Sequence, residues 1–590
     1  MKIIKVQQKR PNQEPPIDLV EQFYKENVDL KAILNARKAK KEVTSGLEPY
    51  TGEFGPAQKK HLLNRTMVGM AKRHMVDLDG LSLDEAIDLI FMPEELDEPV
   101  NDYYNDYDIN QVESYDDAAP GESWVNAPEP APWPRRNSYY AWIRKKMTRQ
   151  KTSLHWKMFI FFHNLLPTTL EGTGVKGRYE NFTLLFNSCF REYKETIKDV
   201  TLDANMMTYL NLNFSKKESP DENYARELQE LFTVGKGPNS LFTEDDVVAF
   251  SKILVGWQSD FNNYNKWGKL GFLFDPWNHD TSDKKLSDFY GGVTIKGREG
   301  EDGAKEFDEL LDVIFKVEET AMYLSRRLYQ FFVYPVISEL AEVNVINPLA
   351  KILRENNYRL DLGLKRLLMS SHFYDSTFYN GMIKSPIEFT LGIIKEFDFV
   401  LQNPTNPLDI PQKYTDIVTK DYYFFSSLDR YLRQQGFDLG DPPSVSGWPA
   451  YYQPPVYDLF WINSDTISKR AQFGNEIGRW GLFIGHADNE GFINSKIDVF
   501  AFLNSLNHPS NLESLIDETW ERLISYELTK ENKDKLKLVV LGGENISESY
   551  YESLYNDYLN NPNENNKWTL EFRINNLFGA LFQFGEIHIF

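Results

Sequence analysis

From His61 to about Val400 the apolar positions recur mostly every three or four residues, the spacing of helices with one buried face. The pattern predicts helices through HLLNRTMVGMAKRHM, SLDEAIDLIF, YENFTLLFNSCFREYKETI, TEDDVVAFSKILVGW, GAKEFDELLDVIFK, ETAMYLSRRLYQFFV, RLDLGLKRLLMSSHF and SPIEFTLGIIKEFDFVL. Ser82 followed by Glu85 has the form of a capping box at a helix start. SLHWKMFIFFHNLL is apolar nearly all round, which predicts a helix buried on every side. A short hairpin is expected around FLFDPWNHD, but no regular alternation of strand and helix appears, which argues against a parallel sheet. The predicted fold is mainly α: a large multi-helix body with long irregular loops and at most a few short strands.

Breaks in this pattern divide the chain. Residues 1–55 are polar and proline-bearing, with one helix expected near Asp18–Lys41, and read as an N-terminal arm. Residues 56–480 form the helical body, interrupted at 91–134 by an acidic, Tyr- and Pro-rich stretch without Lys or Arg that reads as a surface excursion. Asp102, Asp106 and Asp108 in that stretch lack the glycine and terminal glutamate of an EF-hand, which favours a solvated loop over a calcium site. Residues 481–590 read as a helical C-terminal extension.

Charge and composition narrow the function classes. A net charge of −22 opposes non-specific binding to nucleic acid or anionic membrane. Cys189 is the single cysteine, so an intramolecular disulfide and cysteine-based zinc sites are excluded. The sequence shows neither the apolar stretch of a signal peptide nor one of membrane-spanning length, and a cytoplasmic location is the default expectation.

The candidate chemistry centres on DENYARELQELFTVG, Asp221 to Gly235. On a helix, Glu222, Asn223, Arg226, Glu227 and Glu230 share one side, while Tyr224, Ala225, Leu228, Leu231 and Phe232 share the other. That polar side is either a solvated face with a Glu222–Arg226 ion pair or part of a site. In a site, Glu227 and Glu230 would hold one divalent metal ion or share a proton, and Arg226 would meet an anionic substrate. His163, ending FIFFHN beside Asn164, is either a satisfied core histidine or a ligand. His279 and Asp280 in WNHD, with Lys284 nearby, read either as an ordinary loop or as a site. Trp257 reads as a core or helix-end aromatic, with substrate contact as the functional alternative. GTGVKGR, Gly172 to Arg178, lacks the ending of a phosphate loop and reads as a basic loop at a site's mouth. HExxH and GxSxG motifs are absent.

In their order, HLLNRTMVG, KMFIFFHNLL, PDENYARELQELFTVG, TEDDVVAFSKILVGW, FLFDPWNHD, SRRLYQFFV, LLMSSHFYD, KSPIEF, PPSVSGWP and WINSDTISKR resemble a bacterial family, domain of unknown function 1800, over roughly residues 60–475. The resemblance implies a large helical protein, often encoded beside an exported alkaline-phosphatase-like partner, so a periplasmic or envelope location stands as the alternative. The chain departs from the family where Leu165 replaces a second histidine. Because the family signature falls on these same motifs, it implies a convergent polar site of His163, Asn223, Arg226, Glu227, Glu230, His279 and Asp280.

Two functions follow. One is a metal-dependent hydrolase or transferase, with His163, Glu227, Glu230, Arg226 and Lys284 catalytic and Asn164, Asn223 and Trp257 binding substrate. Its single divalent metal would sit on His163, Glu227, Glu230, His279 and Asp280. The other is a non-catalytic envelope or assembly protein that binds the alkaline-phosphatase-like partner or a surface polymer through loops such as NDYYNDYD and PAYYQPPVYD.

Overall fold

The computed structural model describes residues 42–101, 118, 121–127, 132–169, 173–260, 271–403, 410–416, 419–486 and 492–590. The protein is mainly α-helical, and its few strands are short and antiparallel. The helix expected near Asp18–Lys41, the aspartates 102, 106 and 108, and all of NDYYNDYD but its first residue lie outside the described residues. No helix among the described residues is long and apolar enough to cross a membrane.

The segment that is apolar all round forms the helix His155–Leu165, and every residue of it is buried. Such burial requires that its one lysine be neutralised. Lys157 pairs with Glu388, and its ammonium lies 5.1 Å from the Phe331 ring centre. Glu388 also accepts from Ser385 N at 2.7 Å, closing a capping box at the helix Pro386–Glu396. The predicted capping box at Ser82 and Glu85 starts the helix Leu83–Ile90. HLLNRTMVGMAKRHM, expected as helical throughout, is broken into the helices Pro56–Thr66 and Lys72–Asp77. Gly69 lies in the break at φ +77°, so close to Gly392 that a Cβ would stand 2.5 Å from its backbone nitrogen.

The strand Trp257–Asp260 pairs with Gly271–Phe274, so FLF of the expected hairpin is a strand and DPWNHD is the turn region that follows it. A three-stranded sheet has Phe492–Ile497 at its centre, between Phe399–Gln402 and Leu482–His486. It ties the chain on both sides of residue 480 into one sheet. Beyond it the chain is helical, ending in Glu564–Leu581, which runs against Ser464–Arg479 at a contact made close by Gly474, Gly478 and Gly579. The C-terminal Phe590 is buried, exchanges backbone hydrogen bonds with Met382 at 3.0 and 3.2 Å, and carries the Arg65 guanidinium 4.7 Å above its ring. One apolar core therefore runs through the body and the C-terminal segment.

Candidate functional site

DENYARELQELFTVG forms a short helix, Asn223–Glu227, that continues into a π-helical turn, Leu228–Thr233. Tyr224, Ala225, Leu228 and Phe232 are buried, as the helical period predicts. The wider π turn also carries Gln229 and Thr233 inward. Gln229 donates to Ala225 O at 3.0 Å and accepts from Tyr290 Oη at 2.9 Å, while Thr233 Oγ1 donates to Leu228 O at 2.6 Å. Gly235, at φ +77° against the Tyr323 ring, ends the element.

The outer side is mostly closed by ion pairs. Arg226 grips Glu244 with two bonds of 2.9 and 2.6 Å and lies 3.4 Å from Glu222. Glu230 pairs with Lys236 at 2.5 Å, and Asn223 Nδ2 donates to Leu210 O at 3.4 Å. Glu227 is different. Its Oε2 is buried with no hydrogen-bond partner, and burial raises the carboxyl to about 7 against the opposing charge of Lys236.

His279 lies at the far end of the helix Glu244–Leu254 from the Arg226–Glu244 pair, a separation of roughly 16 Å at 1.5 Å per residue. Its Nδ1 donates to Val255 O at 2.8 Å, and its Nε2 is 3.2 Å from Glu306 Oε1 without the alignment of a hydrogen bond. Lys284 is buried and pairs with Glu306 Oε2 at 2.6 Å, and Glu306 also accepts from Arg298 N at 2.7 Å. Burial alone would raise the Glu306 carboxyl. Its contacts with His279 and Lys284 outweigh burial and hold it below the usual range. Asp280 folds back on Ser282, accepting from its N at 2.8 Å. Trp257 opens its strand with its ring 5.1 Å from Phe274, and its indole nitrogen is buried without a partner.

His163 and Asn164 hold the segment that contains PPSVSGWP. Asn164 Oδ1 accepts from Trp448 N at 2.7 Å, and Gly447, at φ +83°, lies directly against Asn164. His163 Nε2 accepts from Gly440 N at 3.2 Å. Burial, followed by the positive charge of Arg178, pushes His163 well below its ordinary pKa and keeps it neutral. On the solvent side of this segment, Arg433, Gly436, Asp438, Asp441, Pro443 and Trp448 line a cavity of about 240 Å³. Leu165, where the resemblance implied a second histidine, is core.

Among the described residues, no hydrogen bond or ion pair joins the three parts of the convergent site expected from the sequence. His163 with Asn164, the Arg226–Glu230 region, and His279 with Asp280 and Lys284 are separate clusters with separate partners. Lys284 is turned to Glu306 and Arg226 to Glu244. Among the described residues, no group of three or more His, Cys, Asp or Glu converges as metal ligands would. PAYYQPPVYD, expected as a contact surface, is largely turned inward: Tyr451 packs 4.7 Å from Phe331, and Val456 and Asp458 are buried.

Sequence reasoning missed Arg178 and the polar chain around it. Val175 to Arg178 is the first turn of the helix Gly174–Ser188, not a loop, and Arg178 is wholly buried. The signal was its place in the stripe Val175, Arg178, Phe182, Leu185, spaced as one inner helical face. Arg178 Nη1 donates to Thr168 Oγ1 at 2.8 Å, Thr168 donates to Asn181 Oδ1 at 3.0 Å, and Asn181 donates to Asp203 Oδ2 at 2.9 Å. Asn205 Nδ2 also donates to Thr168 Oγ1 at 2.9 Å.

No curated protein and no solved structure matches the chain. A family model described as "Protein of unknown function (DUF1800)" matches residues 61–563 and takes in each of these clusters, and the chain belongs to that family.

Proposed function

We propose that the protein is an acid–base enzyme of the hydrolase or transferase class, with Glu227 as the group that takes up and returns a proton. The observation that carries this reading is the half-buried Glu227 carboxyl, whose Oε2 has no hydrogen-bond partner. The other candidate carboxylates, Glu230 and Asp280, are engaged by Lys236 and Ser282. A carboxyl held at about 7 stands where proton transfer in both directions is efficient at neutral pH. The π turn that follows it is a backbone feature frequent at functional sites. A divalent metal would need more ligands than these clusters bring together, so this reading gives Glu227 a proton to move rather than an ion to hold.

The test is an assay of the full chain on chromogenic phosphate and carboxylate esters from about pH 5 to about pH 9. Turnover with a pH limb near 7 is expected, abolished in Glu227→Gln and kept in Glu230→Gln. Turnover that keeps its limb in Glu227→Gln would overturn the assignment.

One observation favours the non-catalytic reading. Trp480, Phe483 and Phe492 project from the end of Ser464–Arg479 and the adjoining sheet, and Trp480 and Phe492 are 60% and 51% exposed. Trp568 and Phe572 stack 5.3 Å apart on the last helix, beside Glu571, which reaches Lys496 of the same sheet at 3.9 Å. Exposed rings of this kind suit an envelope polymer or an alkaline-phosphatase-like partner. Binding to either that is lost in Trp480→Ala/Phe492→Ala, in a chain without turnover, would favour this reading.

A further inference from the structure

Arg178 is wholly buried, and only its Nη1 is engaged, by Thr168 O at 3.1 Å and Thr168 Oγ1 at 2.8 Å. Its Nε and Nη2, the edge of a guanidinium that grips an oxyanion side-on, have no hydrogen-bond partner. His163 Nδ1, Tyr139 Oη and Tyr140 Oη are buried without a partner as well. Phe182 adjoins three of these residues: its ring centre is 5.2 Å from the Arg178 guanidinium, 4.8 Å from the His163 ring and 5.9 Å from the Tyr139 ring. The Tyr140 ring lies 5.7 Å from the Tyr139 ring and tilted to it, and Gly440 lies against its hydroxyl while donating its own N–H to His163 Nε2.

These open groups share one polarity. Because His163 Nε2 accepts, Nδ1 is the nitrogen that carries the hydrogen, so the histidine presents a donor. The guanidinium edge presents two N–H directions and the tyrosines can each present an O–H. Asp203 Oδ2, the carboxylate oxygen at the end of the polar chain, is taken by Asn181 and by Met206 N, both at 2.9 Å. A buried cation and several unmade donor bonds in one place are each destabilising. Water would satisfy the donors without neutralising the guanidinium, whereas an anion does both. We propose that Arg178, His163, Tyr139 and Tyr140 form a binding site for a small oxyanion, a carboxylate or a phosphate. The segment Gly436–Trp448 closes the site, with left-handed glycines at 436, 440 and 447 as the points where its backbone can turn. This site is independent of the role given to Glu227.

Calorimetric titration of the full chain with inorganic phosphate and, separately, with acetate tests it. Saturable binding of at least one is expected, and the preferred anion tells a tetrahedral from a planar ligand. Tyr140→Phe should weaken binding roughly tenfold while leaving the unliganded melting temperature unchanged, because the lost hydroxyl had no partner to abandon. Arg178→Met should abolish binding, and if that variant does not fold, Tyr140→Phe decides. Glu227→Gln should bind as the parent chain does. Absence of saturable binding to either anion, or affinity unchanged in Tyr140→Phe, would overturn the proposal.

Discussion

Two of the places where the protein buries a histidine beside a cation are resolved differently. At His279 and Lys284 a carboxylate, Glu306, stands between the two and takes the charge. At His163 and Arg178 no carboxylate is paired with the cation among the described residues, and the neighbouring tyrosine hydroxyls are open. Residue types and burial match, so neither feature distinguishes structure from site. The distinction lies in whether the buried cation has a carboxylate partner. A paired cation fixes the fold, as Lys284 does with Glu306, whereas a cation among open donors fixes the chemistry of whatever completes it.

The largest effect should fall on the paired cation. Lys284→Met leaves Glu306 buried and short of its cation, and should cost about 3–5 kcal/mol in urea unfolding. Adding Glu306→Leu should recover most of this loss, because an apolar pair of similar volume avoids the desolvation that the ion pair carries. If the single substitution costs less than about 1 kcal/mol, the pair is hydrated and the contrast with Arg178 disappears.

That contrast could not be read from the chain. Capping boxes, the buried faces of Asn223–Glu227 and the all-round burial of His155–Leu165 were legible, because each depends on residues within a few positions of one another. His163 and Asn164 were visible as candidates, but their partners Gly440 and Trp448 come from nearly three hundred residues away. Arg178 sits in GTGVKGR, whose glycines read as a loop. Its inward direction was encoded in its spacing from Phe182 and Leu185. Glu306, which decides the state of His279 and Lys284, carries no motif at all. Gln229, which the π turn carries inward, is met by Tyr290, again distant in sequence.

A smaller effect is expected at Glu227, where stability and function should oppose each other. Its folded pKa, about 7, is raised above the ordinary 4.5, so its contribution to stability is fully present below about 4.5 and is lost as pH rises through 7. With partial exposure discounted, Glu227→Gln should raise stability at pH 8 by about 1–2 kcal/mol and flatten the slope between pH 5 and 7. A parent chain whose stability does not fall over that window would show that the carboxyl is solvated, and would remove the support for its role in proton transfer.

The finest test of the comparison deletes one oxygen in each of two buried tyrosines. Tyr193 Oη donates to Phe232 O at 2.8 Å, whereas Tyr139 Oη has no partner, and both side chains are fully buried. Tyr193→Phe strands a buried carbonyl and should cost about 1–2 kcal/mol, while Tyr139→Phe removes an unsatisfied group and should lie within about 0.5 kcal/mol of the parent or be slightly stabilising. The two substitutions remove the same atom from similar surroundings, so loss of packing cancels between them and the difference isolates the partner. Equal losses would mean that the Tyr139 hydroxyl is already bonded in the unliganded protein. The donors around Arg178 would then be satisfied within the fold, and the reason to expect an anion there would be gone.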